Sequence, residues 1–83
     1  VFIEYPRKGI WTLSMVTGES KNEHGDFYYH IFVPTTPNPT SGYFLYIPQK
    51  ETYKTDMTIE EGMKIIISAG MLAPKSNQLD KST

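Results

Sequence analysis

The chain has 83 residues, with eight Lys or Arg, nine Asp or Glu and no cysteine. This length allows one small domain, and the lack of cysteine excludes disulfides and thiolate zinc sites. The net charge of −1 argues against a nucleic-acid partner, because proteins that neutralise phosphates carry a clustered excess of Lys and Arg.

The first half of the chain predicts three strands. Apolar side chains alternate over residues 1–5, where Pro6 ends the pattern, and again over residues 10–17. This period of two is typical of strands with one face on a core. The polar segment 18–26 predicts an exposed loop. Residues 27–33 alternate with bulky side chains on both faces, so we expect this strand to be covered on both sides.

The second half predicts a helix over residues 58–69. Thr58 and Glu61 have the spacing of a capping box, in which each side chain bonds the backbone amide of the other residue. Apolar residues then recur at helical spacing. We expect Gly70 to end the helix in the left-handed conformation, since glycine adopts it without steric cost.

Together these elements predict an α+β fold. We expect a mostly antiparallel sheet of four or five strands, with residues 43–47 as the fourth and a short edge near 52–54. The single C-terminal helix would pack on one face of this sheet. The sequence predicts one domain over residues 1–74 and a flexible polar tail over 75–83, where no periodicity remains.

The loop over residues 34–42 contains three prolines within six residues. Proline fixes φ and biases the preceding residue towards extended backbone, so the loop should be rigid. A rigid polar loop suits recognition, because little ordering entropy is lost on binding. Alternatively, it is a stiff connection whose hydroxyls bond the local backbone. The candidate binding residues here are Thr35, Thr36, Asn38, Thr40 and Ser41.

No catalytic set emerges from the motifs. Ser41, His30 and Asp26 supply the residue types of a triad, but there is no nucleophile elbow. We expect His30, beside bulky aromatics, to be a half-buried, hydrogen-bonded imidazole. His24 lies in a charged loop without the converging ligands of a zinc site. We therefore expect a non-enzyme without a cofactor or a metal.

The chain has eleven aromatic residues, a high number for a domain of this size. Several must contribute to the core, because the strands carry few aliphatic side chains. If others are exposed together, they would mark an interface, where Tyr and Trp are enriched.

Two segments resemble a known signature: Glu4-Tyr5-Pro6-Arg7-Lys8-Gly9, and the run from Val33 to Gly42 through Pro34-Thr35-Thr36-Pro37-Asn38-Pro39-Thr40-Ser41. They are similar to the continuous-vascular-ring-like family of membrane proteins, which carry domain of unknown function 502. Phe44-Leu45-Tyr46-Ile47-Pro48 and the helix end Ile65-Ile66-Ile67-Ser68-Ala69-Gly70 also match its pattern. The likeness covers roughly residues 1–74.

The resemblance implies a soluble C-terminal domain of a membrane-anchored protein. The anchor would be a segment absent from this chain, whose longest apolar runs are far shorter than the ~20 residues that span a bilayer. Two spans after a basic N-terminus would leave this domain on the cytoplasmic side. The family supplies no catalytic residues, but it adds Arg7 and Lys8 to the candidate binding residues.

The leading functional prediction is a protein-interaction or self-assembly module that uses the Pro/Thr-rich loop. The alternative is a small-ligand or lipid-headgroup site at the same loop, with Arg7 or Lys8 supplying charge. We also interpret the strand pattern that starts at Val1 as a sign that this chain is a piece of a longer protein.

Overall fold

A computed structural model of the chain describes residues 1–72. A short 3-10 turn, Gln49–Glu51, separates the last two strands. The strands and the helix are β1 (Phe2–Glu4), β2 (Trp11–Leu13), β3 (Met15–Lys21), β4 (Phe27–Pro34), β5 (Gly42–Pro48), β6 (Thr52–Tyr53) and α1 (Ile59–Ile67).

The strands form two antiparallel sheets of three strands each, in the orders β2-β1-β6 and β3-β4-β5. The predicted α+β fold with a single sheet of four or five strands is therefore wrong. The protein is mostly β, with one short helix. The error arises at Ser14, where a segment predicted as one continuous strand over residues 10–17 divides between the two sheets.

Ser14 is where the chain passes from one sheet to the other. It is buried, its amide donates to the Val1 carbonyl at 2.9 Å, and its hydroxyl donates to the same oxygen at 3.2 Å. β2 ends one residue before it and β3 begins one residue after it. A bend of this kind lets consecutive strands join different sheets, and the apolar alternation continues through it unchanged.

β3 and β4 form a hairpin that is longer than predicted. Their pairing runs to Lys21 and Phe27, with a register shift between Val16 and Gly18. The Asn22 side-chain oxygen closes the turn by accepting from the amides of His24 and Asp26, both at 2.9 Å. The loop predicted over residues 18–26 is therefore wrong for its first four residues, which belong to β3.

The core lies between the two sheets. Ile3 of β1 packs against Ile31 and Val33 of β4, and all three side chains are buried. Because successive side chains of a strand alternate between its faces, the odd-numbered residues of β4 face this core and the even-numbered ones face away. Partly buried residues complete the core: Val1, Tyr5, Tyr29, Leu45 and Ile47.

The helix α1 begins as predicted and ends earlier. The Glu61 amide donates to the Thr58 hydroxyl at 3.1 Å, and the Thr58 amide donates to the Glu61 carboxylate at 3.0 Å, which confirms the capping box. Ser68 is the C-cap. Gly70 is left-handed as predicted, with φ 90°, but the first left-handed residue after the cap is Ala69, with φ 54°. The predicted position of Gly70 directly after the cap is therefore wrong.

Because there are two sheets, the predicted packing of the helix on one face of a single sheet is also wrong. Only Ile66 is buried among its residues, and Gly62 lies beside Leu13 of β2. Within residues 1–72 no helix is long and apolar enough to cross a membrane. The tail predicted over residues 75–83, and the end of the domain predicted at residue 74, lie outside the described residues.

Candidate interaction surface

The hydroxyl groups of the loop at residues 34–42 bond to other groups of the chain. The Thr35 hydroxyl donates to the Asn38 carbonyl at 2.6 Å and lies 2.9 Å from the Ser41 hydroxyl. The Thr40 amide and hydroxyl both donate to the Asn38 side-chain oxygen, at 3.1 and 2.5 Å. The Thr36 hydroxyl donates to the Ile66 carbonyl of α1.

These contacts agree with the alternative interpretation of the loop, in which its hydroxyls satisfy the local backbone. Thr35, Asn38, Thr40 and Ser41 come together as one bonded group, while Thr36 reaches the helix. The peptide bond between Thr36 and Pro37 is cis. A recognition role for these residues stays a prediction.

Arg7 and Lys8 lie in the turn between β1 and β2. This turn is closed by the Ile10 amide donating to the Arg7 carbonyl at 3.2 Å. Both residues are exposed, and Lys8 lines a pocket with Glu4 and Glu51. Among residues 1–72, no hydrogen bond or ion pair joins either side chain to the 34–42 loop. A contribution of Arg7 or Lys8 to a ligand site at that loop stays a prediction.

Three rings form a cluster on the sheet face turned away from the core. His30 of β4 lies 4.5 Å from Tyr46 and 5.9 Å from Phe44 of β5, measured between ring centroids. Phe44 and Tyr46 contact each other edge to face at 5.4 Å. Phe44 is 58% exposed and Tyr46 is 56% exposed. We call His30, Phe44 and Tyr46 the aromatic cluster.

The His30 ring is fixed from the neighbouring strand β3. One ring nitrogen, Nε2, shares a short hydrogen bond with the Ser20 hydroxyl. A Cβ atom at Gly18 would lie 2.9 Å from the other nitrogen, Nδ1, so glycine leaves the space that the ring occupies. The half-buried, hydrogen-bonded imidazole expected from the sequence is confirmed.

The structure does not assemble the triad considered from the sequence. Asp26 precedes β4, and Ser41 bonds to Thr35 beyond the other end of that strand. Eight strand residues at ~3.3 Å each separate the two groups by roughly 25 Å. Among the described residues, no group of three His, Asp or Glu side chains could hold a metal ion.

A groove of about 310 Å³ lies between α1 and the β2–β3 junction. Its apolar lining includes Leu13, Met15, Met57 and Met63, and no Asp, Glu, Lys, Arg or His side chain lines it. Val1 also lines it.

The comparisons with known proteins identify one similarity. Residues 1–41 match the family described as "Protein of unknown function (DUF502)". The match covers just under half of the chain, from β1 through most of the 34–42 loop, and confirms that part of the resemblance. The finer assignment to the continuous-vascular-ring-like family and to a C-terminal domain stays a prediction. No curated protein and no solved structure matches the chain.

The aromatic cluster was not among the site residues predicted from the sequence. Two signals were present: aromatic residues two apart at Phe44 and Tyr46 share a face of a strand, and the 43–47 segment has no charge. The surface was missed because residues 27–33 were expected to be covered on both faces. That expectation assigned every bulky side chain of the strand, including His30, to a core.

Proposed function

We propose that this chain is a protein-interaction module whose contact surface is the aromatic cluster. The observation that carries the proposal is the exposure of two adjacent rings, Phe44 and Tyr46, by more than half of their surface on an ordered sheet. Single exposed apolar side chains are ordinary on proteins, but contiguous ones mark contact surfaces.

The geometry of the cluster suits recognition. Aromatic side chains bury a large area with little loss of rotamer freedom, which is why they are enriched in the centres of interfaces. Here the hydrogen bond shared with Ser20 fixes the His30 ring, and Gly18 leaves the space that the ring occupies. A partner would therefore meet a surface that is already ordered, which lowers the entropic cost of binding.

A binding comparison between two variants tests this function. The immobilised chain would be used to recover proteins from detergent-solubilised membranes of cells that make the natural protein. Phe44→Ser combined with Tyr46→Ser should lose the specifically retained proteins. Ile59→Ser is the matched control, because Ile59 is also apolar and is 77% exposed on α1. Equal retention by both variants and the unsubstituted chain would contradict the proposal.

The same assay distinguishes the predicted contact surface at the 34–42 loop from the aromatic cluster. Replacing Thr35, Thr36, Asn38 and Thr40 together by Ala removes the bonded group of the loop but leaves the cluster. If the loop is the contact surface, this variant loses the partners and the Phe44 and Tyr46 variant keeps them.

We further propose that the natural protein acts at a membrane, with this part on the cytoplasmic side. The support is the resemblance to a membrane-protein family and the match to its domain of unknown function over residues 1–41. An epitope inserted in the turn at residues 22–26 of the full-length protein tests the side. In intact cells, protease added outside should leave the epitope uncut, and permeabilising the membrane should expose it to cleavage. Cleavage in intact cells would contradict this orientation.

A further inference from the structure

Among residues 1–72, the two sheets have four edge strands, and three of them have features that discourage pairing. β2 and β6 have only three and two residues. β3 carries the charged residues Glu19 and Lys21 and a register shift near Gly18. Short length, charge and irregularity are the usual ways in which proteins keep an edge from pairing with another chain.

β5 is the exception. It has seven residues, Gly-Tyr-Phe-Leu-Tyr-Ile-Pro, without a charge, and its pairing with β4 is continuous over all seven. No described strand pairs with its outer side. Aromatic and β-branched residues also favour the extended conformation. β5 is thus a long, regular and uncharged edge, whose one protective feature is the proline at its end.

The prolines of this hairpin show which backbone groups face outward. In an antiparallel pair, directly opposed residues alternate between hydrogen-bonded and non-bonded pairs. Pro34 lies opposite Gly42, and Pro48 lies opposite Tyr28. Because proline has no N–H, neither pair can exchange two hydrogen bonds. The pairs formed by even-numbered residues of β4 and β5 are therefore the non-bonded ones. The Thr35 amide, which donates to the Ser41 carbonyl at 2.8 Å, fits the same alternation.

The N–H and C=O groups of Phe44 and Tyr46 therefore point away from β4. These are also the residues whose rings form the exposed part of the aromatic cluster. One segment thus presents unpaired backbone groups at its edge and exposed rings on its face. An extended backbone is the partner that can satisfy such an edge.

We propose that β5 of one chain pairs antiparallel with β5 of a second copy, forming one six-stranded sheet. This inference rests on the proposed function and names the partner. In the register with the greatest overlap, Phe44 lies opposite the partner's Tyr46, and Leu45 lies opposite the partner's Leu45. Both copies then present the same surface, as two-fold symmetry requires.

This register uses the outward groups fully. Phe44 and the partner's Tyr46 exchange two hydrogen bonds, as does the symmetric pair, and each Gly42 amide donates to the partner's Pro48 carbonyl. The two aromatic clusters become continuous, because hydrogen-bonded pairs carry their side chains on the same face and adjacent aromatic residues stabilise each other. No like charges meet, since β5 contains none.

Sedimentation of the purified chain tests the pairing. The unsubstituted chain should show a concentration-dependent monomer–dimer equilibrium. Tyr46→Lys should raise the dissociation constant at least ~tenfold, because a charge at an exposed edge discourages strand addition. Thr17→Lys puts the same charge on β3, the other edge of the sheet, and should leave the equilibrium unchanged. Amide dispersion in NMR spectra would verify that each variant is folded.

A charge pair tests the register. In the variant Phe44→Glu combined with Tyr46→Lys, each new glutamate would lie opposite the partner's new lysine. This variant should dimerise more tightly than either single substitution. Because both positions are exposed, the result does not depend on repacking the core. If the double variant dimerises no more tightly than the tighter of the two single variants, this register is wrong.

The outcomes separate this inference from the proposed function. A chain that stays monomeric up to ~1 mM, or that loses dimerisation equally with Thr17→Lys, overturns pairing through β5. If such a chain still loses its membrane partners with the Phe44 and Tyr46 variant, the interaction function stands with a different partner. The chain could instead dimerise through β5 while the Phe44 and Tyr46 variant still retains the membrane proteins. In that case pairing through β5 is supported, and binding of other proteins by the aromatic cluster is contradicted.

Discussion

Two glycines of the β3-β4-β5 sheet are required for space. A Cβ atom at Gly18 would lie 2.9 Å from the His30 Nδ1 atom, and one at Gly42 would lie 2.0 Å from the Val33 carbonyl oxygen. The first contact involves a side chain that could move, whereas the second involves the backbone of the paired strand. The two sites should therefore respond differently to the same added methyl group.

Gly18→Ala should lower the free energy of unfolding by about 1–2 kcal/mol, because the methyl group must displace the His30 ring from a packed position. Urea denaturation measures the loss, and the His30 ring proton shifts should change with it. Ser20→Ala is the control, since it removes only the hydrogen bond to the ring. Alanine normally suits a strand better than glycine, so a stabilised variant would contradict the close packing.

Gly42→Ala should cost about 3 kcal/mol or more, because the start of β5 would have to move away from β4. Gly9→Ala is the matched control: Gly9 has φ 88° but no atom within 4 Å of the added Cβ. It should cost only about 1 kcal/mol through backbone conformation. Thermal unfolding of both variants would measure the difference, and equal losses would be inconsistent with the contact to Val33.

Sequence reasoning at the residue scale worked where partners are close along the chain. The capping box of Thr58 and Glu61 follows from a spacing of three residues. The half-burial of His30 was expected from the bulky residues beside it, although its bonding partner, Ser20, lies ten residues away. The roles of Gly18 and Gly42 did not follow. They depend on a residue of the neighbouring strand, and therefore on a register that the sequence does not display.

At the scale of elements, the end of α1 has an unfavourable residue. The Gly70 amide donates to the Ile65 carbonyl at 2.7 Å and the Ala69 amide donates to the Ile66 carbonyl at 3.2 Å, the two bonds of a Schellman motif. This motif places Ala69 at the left-handed position, with φ 54°. An L-residue with a Cβ is disfavoured there by roughly 1 kcal/mol.

Ala69→Gly should therefore raise the free energy of unfolding by up to about 1 kcal/mol, because glycine adopts this conformation without the steric cost. Ser68→Gly is the control. Ser68 has φ −89°, and its hydroxyl donates to the Ile65 carbonyl and accepts from the Leu72 amide, so its replacement should destabilise. Both changes are measurable by urea titration. A destabilised Ala69→Gly variant would contradict the assigned cap.

The strands show why the sheet arrangement was not predictable. The segments over 27–33 and 43–47 were found within one residue at each end, because the alternation of side chains is a local signal. The break at Ser14 left no such signal. A small polar residue between Leu13 and Met15 fits a continuous strand, and the residue that it bonds, Val1, is thirteen residues away.

At the scale of the whole molecule, the two sheets share a single core. Ile31, with 0% exposure, packs beside Ile3 of the other sheet. The sheets should therefore unfold together, as small single domains usually do. The chain contains one tryptophan, Trp11, which contacts the rings of Phe2 and Tyr53 across the three strands of the β2-β1-β6 sheet.

Ile31→Val should lower the free energy of unfolding by about 1 kcal/mol through the loss of one buried methylene. Although the substitution lies in the β3-β4-β5 sheet, the transition followed by Trp11 fluorescence should shift as far as the transition followed by far-UV circular dichroism. Thr17→Ser is the control, because Thr17 is exposed. This substitution outside the core should leave both transitions unchanged. Two separate transitions would show that the sheets are independent units.

The contact between Thr36 and α1 couples two parts of the molecule that are thirty residues apart in sequence. The Ile66 carbonyl also accepts from the Ala69 amide at 3.2 Å, so the loop and the helix cap are bonded to the same oxygen. Ile66 is buried and lines the apolar groove beside α1. The 34–42 loop therefore holds in place the end of the helix that forms one wall of this groove.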